Sequence, residues 1–185
     1  MSLFEFLMVL VSIIIGLGIA EILTGVARVI RCRDSIQSYW VHSVLVIFVF
    51  VALLQQWWEI WGVRGTPEWT FPGLIMMLGG PICLFLMAHL LFPEPVQGAN
   101  LREYYYDAMR PIWWLAVLAV LLATLFRPLV LKHDLLTVDN ATSFIAFIGF
   151  VVLAISPNKV LHALLVPILF ITILLDVLLL TFSIA

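Results

Sequence analysis

Two stretches of this chain, residues 35–58 and 69–93, contain no Asp, Glu, Lys or Arg. Unbroken apolar runs of this length restrict the fold more than any other feature. Roughly 20 mostly apolar residues suffice for a helix to cross about 30 Å of hydrocarbon. Composition points the same way: 64% of the 185 residues are hydrophobic, against 9 Lys+Arg and 11 Asp+Glu, and mean hydropathy is +1.19. A soluble domain is roughly 45–50% apolar and about 25% charged. A chain this short has too much surface per volume to hide the excess in a core. A soluble monomer and a disordered chain are both excluded.

Lipid offers backbone groups no water, so each crossing segment must satisfy its own hydrogen bonds as a helix. A membrane barrel would instead alternate in polarity every second residue, and these runs do not. The expected fold is therefore all-α: a single membrane domain of six transmembrane helices over 3–30, 39–61, 71–92, 111–131, 141–156 and 160–184. Between the third and fourth, Asn100 followed by Glu103 resembles a capping box. It predicts a short interfacial helix from Leu101 to Arg110, ended by Pro111. Residues 6–20 resemble a signal-peptide core with Gly18-Ile19-Ala20 as a cleavage site. Glu5 and the absence of Lys or Arg before them favour a retained first span instead.

Basic residues predict orientation. Arg28, Arg31, Arg33, Arg102, Arg110 and Lys159 fall on one set of loops, against Arg64, Arg127 and Lys132 on the other. The positive-inside rule then makes loops 31–38, 93–110 and 156–159 cytoplasmic and leaves both termini outside, as in a bacterial-type inner membrane. Tryptophans agree: Trp40, Trp113 and Trp114 mark inner ends, and Trp57, Trp58, Trp61 and Trp69 outer ends.

Acids within spans are the residues that most invite a functional reading. A charged carboxyl at mid-span facing lipid costs about 2.5 kcal/mol or more, so it should turn toward protein or water. Glu21 lies roughly 10 Å from the inner end of the first span at about 1.5 Å per residue. Gly18 and Gly25 share its face, and Gly16, Ala20 and Thr24 form a row of small residues beside it. Such residues let a neighbouring backbone approach, so Glu21 is expected in a helix seam, as a proton or cation site or as buried polar glue. Asp176, in the outer half of the last span, is expected to face inward for the same reason. Gln55, Gln56 and Glu59 add a polar patch that hydration near the interface would explain.

Gly79-Gly80-Pro81 falls mid-span in the third helix, and Pro167 interrupts the sixth. Each proline frees a carbonyl four residues back, and paired interruptions in corresponding helices of two halves suggest a transporter-like site. Ordinary proline kinks fit as well, and no residue-level repeat links the halves. His42, His89 and His162 fall at one depth on three helices, which permits a transition metal or a haem iron if they converge. Border histidines are the plainer account. Tyr104, Tyr105 and Tyr106 read as an aromatic anchor or a docking face for a membrane-protein partner.

Cys32 and Cys83 show no metal or redox spacing, and a net charge of −2 gives no footprint for nucleic acid. No phosphate-binding, dinucleotide, zinc-protease or esterase motif occurs. Three functional classes follow. The first is a small channel or transporter-like protein for protons or small cations, using Glu21, Asp176 and the Gly79–Pro81 break. The second is a non-catalytic accessory or assembly subunit, and the third a haem- or metal-binding redox subunit. A homo-oligomer, most simply a dimer through the Gly16/Ala20/Thr24 row, would enlarge so small a bundle.

Overall fold

A computed structural model of the chain describes residues 3–65, 69–130 and 138–179, those at 3, 127, 138–141 and 179 by backbone alone. The Arg127 side chain, Lys132 and the last residues expected in the sixth span lie outside the described residues. Six α-helices follow one another: α1 (Leu3–Arg31), α2 (Trp40–Ile60), α3 (Phe71–His89), α4 (Leu101–Val130), α5 (Val138–Ile155) and α6 (Lys159–Leu179). A 3₁₀ turn over Trp61–Val63 extends α2. The chain is all-helical among the described residues. Five helices are long and apolar enough to cross a membrane, while the apolar part of α5, Thr142–Ile155, is shorter.

Each helix sorts its side chains by what surrounds it. On α6, Val160, Leu164, Ile168, Ile171, Leu175 and Leu178 face outward. The opposite stripe buries His162, Val166 and Leu169. On α1, Phe4, Leu7, Val11, Ile15 and Ile22 are buried, with Gly18 and Gly25 in the same seven-residue register. Large apolar side chains on the outer surface suit a hydrocarbon solvent and would be a liability in water.

Neighbours run around the bundle in the order α1, α3, α4, α5, α6, α2 and back to α1. Across that ring α2 also touches α3 and, briefly, α4. Glycines set the closest approaches. Gly18 meets Leu53 of α2 and the Phe85 backbone of α3, and a Cβ on Gly25 would land on the Phe92 ring. Phe92 cannot retreat easily, being buried and edge-on to His42 with centroids 5.8 Å apart.

The segment before the fourth span differs from expectation. No separate interfacial helix exists there: α4 starts at Leu101 and runs unbroken through Pro111 to Val130. Proline removes a single backbone donor, and here the apolar face buries Ile112, Trp113, Ala116 and Val117 just beyond it. That packing keeps the helix in register. Similarly, α3 runs through Pro81 and α6 through Pro167, so neither proline interrupts its helix. Asn100 does cap α4, its Oδ1 accepting from the backbone N–H of Arg102 at 3.1 Å and of Glu103 at 3.4 Å. The α1–α2 and α3–α4 loops are stitched together as well. Gln37 donates its N–H to the Ala99 carbonyl and accepts from Leu101, both at 3.0 Å.

Two glycine substitutions should separate seam from surface. Gly25→Ala is expected to destabilise the fold by about 1–3 kcal/mol through overpacking against Phe92. Gly16→Ala meets nothing within 4 Å and should be neutral or stabilising by up to about 1 kcal/mol. Equilibrium unfolding in mixed micelles measures both, and a neutral Gly25→Ala would contradict the seam.

Candidate functional site

Where α2 and α4 draw apart, the ring holds a half-open cleft of about 330 Å³. Walls come from α2 through α6, and α1 contributes no lining residue. Its apolar part is bounded by Phe48, Leu84, Met87 and Phe150, with Phe48 and Phe150 edge-to-face at 5.8 Å. Ala116, Ala119 and Ala123 line the α4 side, and their small side chains leave the space open.

Polar groups gather at the other end of the cleft, where α2 and α6 finish and α5 starts. Gln55 Nε2 donates to Glu59 Oε1 and to Asp176 Oδ2, each at 2.9 Å. Both partners are acceptors only when ionised, which places the amide nitrogen, rather than its oxygen, between them. Thr142 Oγ1 donates to the second Asp176 oxygen at 3.0 Å. Gln56 lies alongside, its Oε1 3.0 Å from where a Cβ on Gly80 would sit. Gly80 therefore makes room for an amide, whereas the space beside Gly79 is taken by Leu122. Among the described lining residues none is Lys, Arg or His; the side chain of Arg127, three residues past Thr124 on α4, is outside them.

Asp176 thus sits on the inward face of α6. Glu21 lies at the edge of the α1–α3 contact, not at its centre. The apolar register of α1 centres on Gly18, Ile22 and Gly25, which leaves Glu21 on the flank with its side chain 36% exposed. His89 Nδ1 lies 3.6 Å away, an ion pair whenever the imidazole is protonated. Glu21 and Asp176 are therefore in separate places, and the Gly16, Ala20 and Thr24 row faces out of the bundle. Glu59 and Gln55 are the residues whose role the linear reading missed. Their i, i+4 spacing was visible, but their meeting with α6 was not.

The three histidines go to three different settings. His42 Nε2 is 2.6 Å from the Leu91 carbonyl, His89 faces Glu21 on the outer surface, and His162 is wholly buried. Among the described residues, no three His, Cys, Asp or Glu side chains gather closely enough to hold a metal ion. His162 has both ring nitrogens engaged. Nε2 lies 2.7 Å from the Ser156 carbonyl, which only accepts, so the proton is on Nε2. Nδ1 then accepts from the Tyr105 hydroxyl at 2.7 Å.

That bond belongs to a knot tied by three consecutive tyrosines. Tyr104 donates to the carbonyls of Leu90 at 2.9 Å and Phe92 at 3.1 Å, closing the C-terminal end of α3. Tyr105, 1% exposed, reaches α6. Tyr106 shares a 3.0 Å hydrogen bond with Tyr39 before α2. Their hydroxyls are thus engaged within the chain. Trp113 is drawn in too: it stacks on Phe150 at 5.6 Å instead of marking an interface. Outside the knot, Arg28 Nη1 donates to Glu94 Oε1 at 2.8 Å. That hydrogen bond and the guanidinium charge hold the Glu94 carboxyl below its usual 4.5, with His89 adding slightly.

Two outcomes test these contacts. Tyr105→Phe strands the Nδ1 acceptor of a buried imidazole and should cost about 1–3 kcal/mol in equilibrium unfolding. For Glu94 the sign follows from linkage: a lowered folded value stabilises above pH 4.5, and the gain fades as pH falls through that lowered value. Glu94→Gln should remove this acid-side slope from a pH series of melting temperatures, with only a small effect because the pair is exposed. Comparison of the chain with family models, curated protein sequences and solved structures finds no match, so its function has to be argued from the cleft itself.

Proposed function

We infer that this chain is a polytopic integral membrane protein that passes protons or small cations, with its working site at the acid-lined end of the cleft. The observation that carries this reading is the single Gln55 amide holding Glu59 and Asp176 together inside a bundle of membrane-length helices. Intramembrane acids are costly, and where they occur they mark ion or proton routes. Asp176 keeps the part the sequence suggests for it. Glu59 and Gln55 take the place of Glu21, which lies outside the cleft, and Gly80 serves by seating Gln56.

In this reading all six helices cross, α5 as the shortest, and the arginine-bearing loops face the cytoplasm with both termini opposite. The outward Gly16, Ala20 and Thr24 row is where a second copy would pack in a homo-oligomer. Support for the orientation comes from the basic residues clustered at one end of the bundle and from Trp40 and Trp114, both exposed beside them.

Reconstitution into liposomes tests the assignment, with proton and potassium flux read by internal dyes. Asp176→Asn and Glu59→Gln should each lower flux about tenfold or more, the factor that about 1.4 kcal/mol of lost cation stabilisation produces. Glu21→Gln should leave it within about twofold, on the same scale. Flux no greater than in protein-free liposomes, or equal in wild type and Asp176→Asn, overturns the reading.

A further inference from the structure

Beside the tyrosine knot, two positive charges and one hydroxyl proton find no acceptor among the described residues. We propose that Arg102, Lys159 and the Tyr39–Tyr106 hydroxyl pair hold the phosphate of an anionic lipid headgroup, with the lipid's acyl chains along the outward face of α6. Such a site is independent of the cleft and of what passes through it.

Arg102 of α4 has its guanidinium carbon 5.8 Å from the centroid of the Tyr39 ring, and Lys159 of α6 has its ammonium nitrogen 5.8 Å from that of Tyr106. The two rings come from the approach to α2 and from α4, yet their centroids are only 6.1 Å apart. Three segments thus bring two exposed cations over one pair of aromatic faces. Among the described residues, Arg28 pairs with Glu94 and Arg33 with Asp34, whereas neither Arg102 nor Lys159 has a carboxylate within ion-pair reach. An aromatic face steadies a cationic side chain without occupying its N–H donors.

Position makes these charges costly. Arg102 and Lys159 lie in the first turns of α4 and α6, where the positive end of the helix dipole disfavours a cation. Glu103 offsets this on α4, but α6 has no acid in its first turn. The hydroxyl pair adds a neutral donor. Tyr39 and Tyr106 hold two O–H protons, and their 3.0 Å hydrogen bond uses one. The other has no acceptor among the described residues. Two cationic donors and a neutral one complement the several oxygens and the charge of a phosphate.

The surface below the site favours a lipid over a soluble phosphate ester. Val160 follows Lys159 directly and begins the outward stripe that continues through Leu164, Ile168 and Ile171. Trp40, next to Tyr39, is exposed as well. Acyl chains on that stripe bring a headgroup to the level of the two cations, the arrangement by which basic pockets at helix ends recognise anionic lipids.

The test is native mass spectrometry of the full chain from nonionic detergent micelles. Dioleoyl phosphatidate and dioleoyl phosphatidylcholine are added in turn, with glycerol 3-phosphate as the chain-free headgroup. One phosphatidate per chain should bind at least about tenfold more tightly than phosphatidylcholine. Glycerol 3-phosphate at equal concentration should not displace it. Arg102→Gln and Lys159→Gln should each weaken phosphatidate binding about tenfold, and Tyr39→Phe combined with Tyr106→Phe about threefold. Arg31→Gln removes another exposed charge, at the end of α1, and should change it by less than about twofold. Equal affinity for the two lipids overturns the proposal. So does an Arg31→Gln loss as large as that of Arg102→Gln, which would leave only the general attraction between basic loops and anionic membranes. Displacement by glycerol 3-phosphate would mark a site for a soluble phosphate ester and overturn it too. The choice between lipids is read on wild type alone, so it decides the question even if a variant fails to fold.

Discussion

In hydrocarbon, a polar group that lacks a partner inside the protein has none at all, and the whole arrangement of this chain follows from that scarcity. Backbone groups meet it by becoming helical, which is why the long apolar runs are helices. Side-chain polar groups meet it by congregating. Little that is polar lies buried at mid-bundle; most of it is gathered at the two ends of the helices. At one end, four tyrosine hydroxyls and two imidazoles take up carbonyls and one another. At the other, the Gln55 amide and the Thr142 hydroxyl donate to two acids.

These two gatherings differ in kind. The tyrosine knot pairs neutral donors with neutral acceptors, so it costs little to bury and contributes mainly rigidity and register. Its reach explains why three adjacent tyrosines serve three different segments: successive residues point about 100° apart on a helix, so Tyr104, Tyr105 and Tyr106 address the end of α3, the start of α6 and the approach to α2. The acid end instead gathers carboxyl, amide and hydroxyl groups from α2, α5 and α6.

Much of this was legible in the linear chain. Apolar runs delimit most of the helices to within a few residues, Asn100 rather than the apolar run marks the start of α4, and the cost of an unshielded carboxylate turns Asp176 inward. The shortfalls share a cause, because periodicity along one helix says nothing of what stands across from it. Pro111 reads as a boundary only until the packing of Ile112 and Trp113 is known to carry the helix past it. Glu21 shares a nominal face with Gly18 and Gly25, yet the centre of contact falls on Ile22, one residue on, and a shift of about 100° moves Glu21 to the edge. Equal depth for His42, His89 and His162 did not make them neighbours, since α2, α3 and α6 direct them to a loop carbonyl, the outer surface and Tyr105. Gln55 was visible as a polar residue beside Glu59, but its second acid is 121 residues away.

The stitching of Gln37 to Ala99 and Leu101 has a mechanical corollary. Those backbone hydrogen bonds, with the tyrosines beside them, clasp the roots of α2, α3, α4 and α6 together, and at the opposite tips the Gln55 amide reaches from α2 to Asp176 of α6. Because those bonds run from backbone to backbone, the register of the two loops depends on no particular side chain at positions 37, 99 and 101, and the roots of the bundle are held by the chain itself.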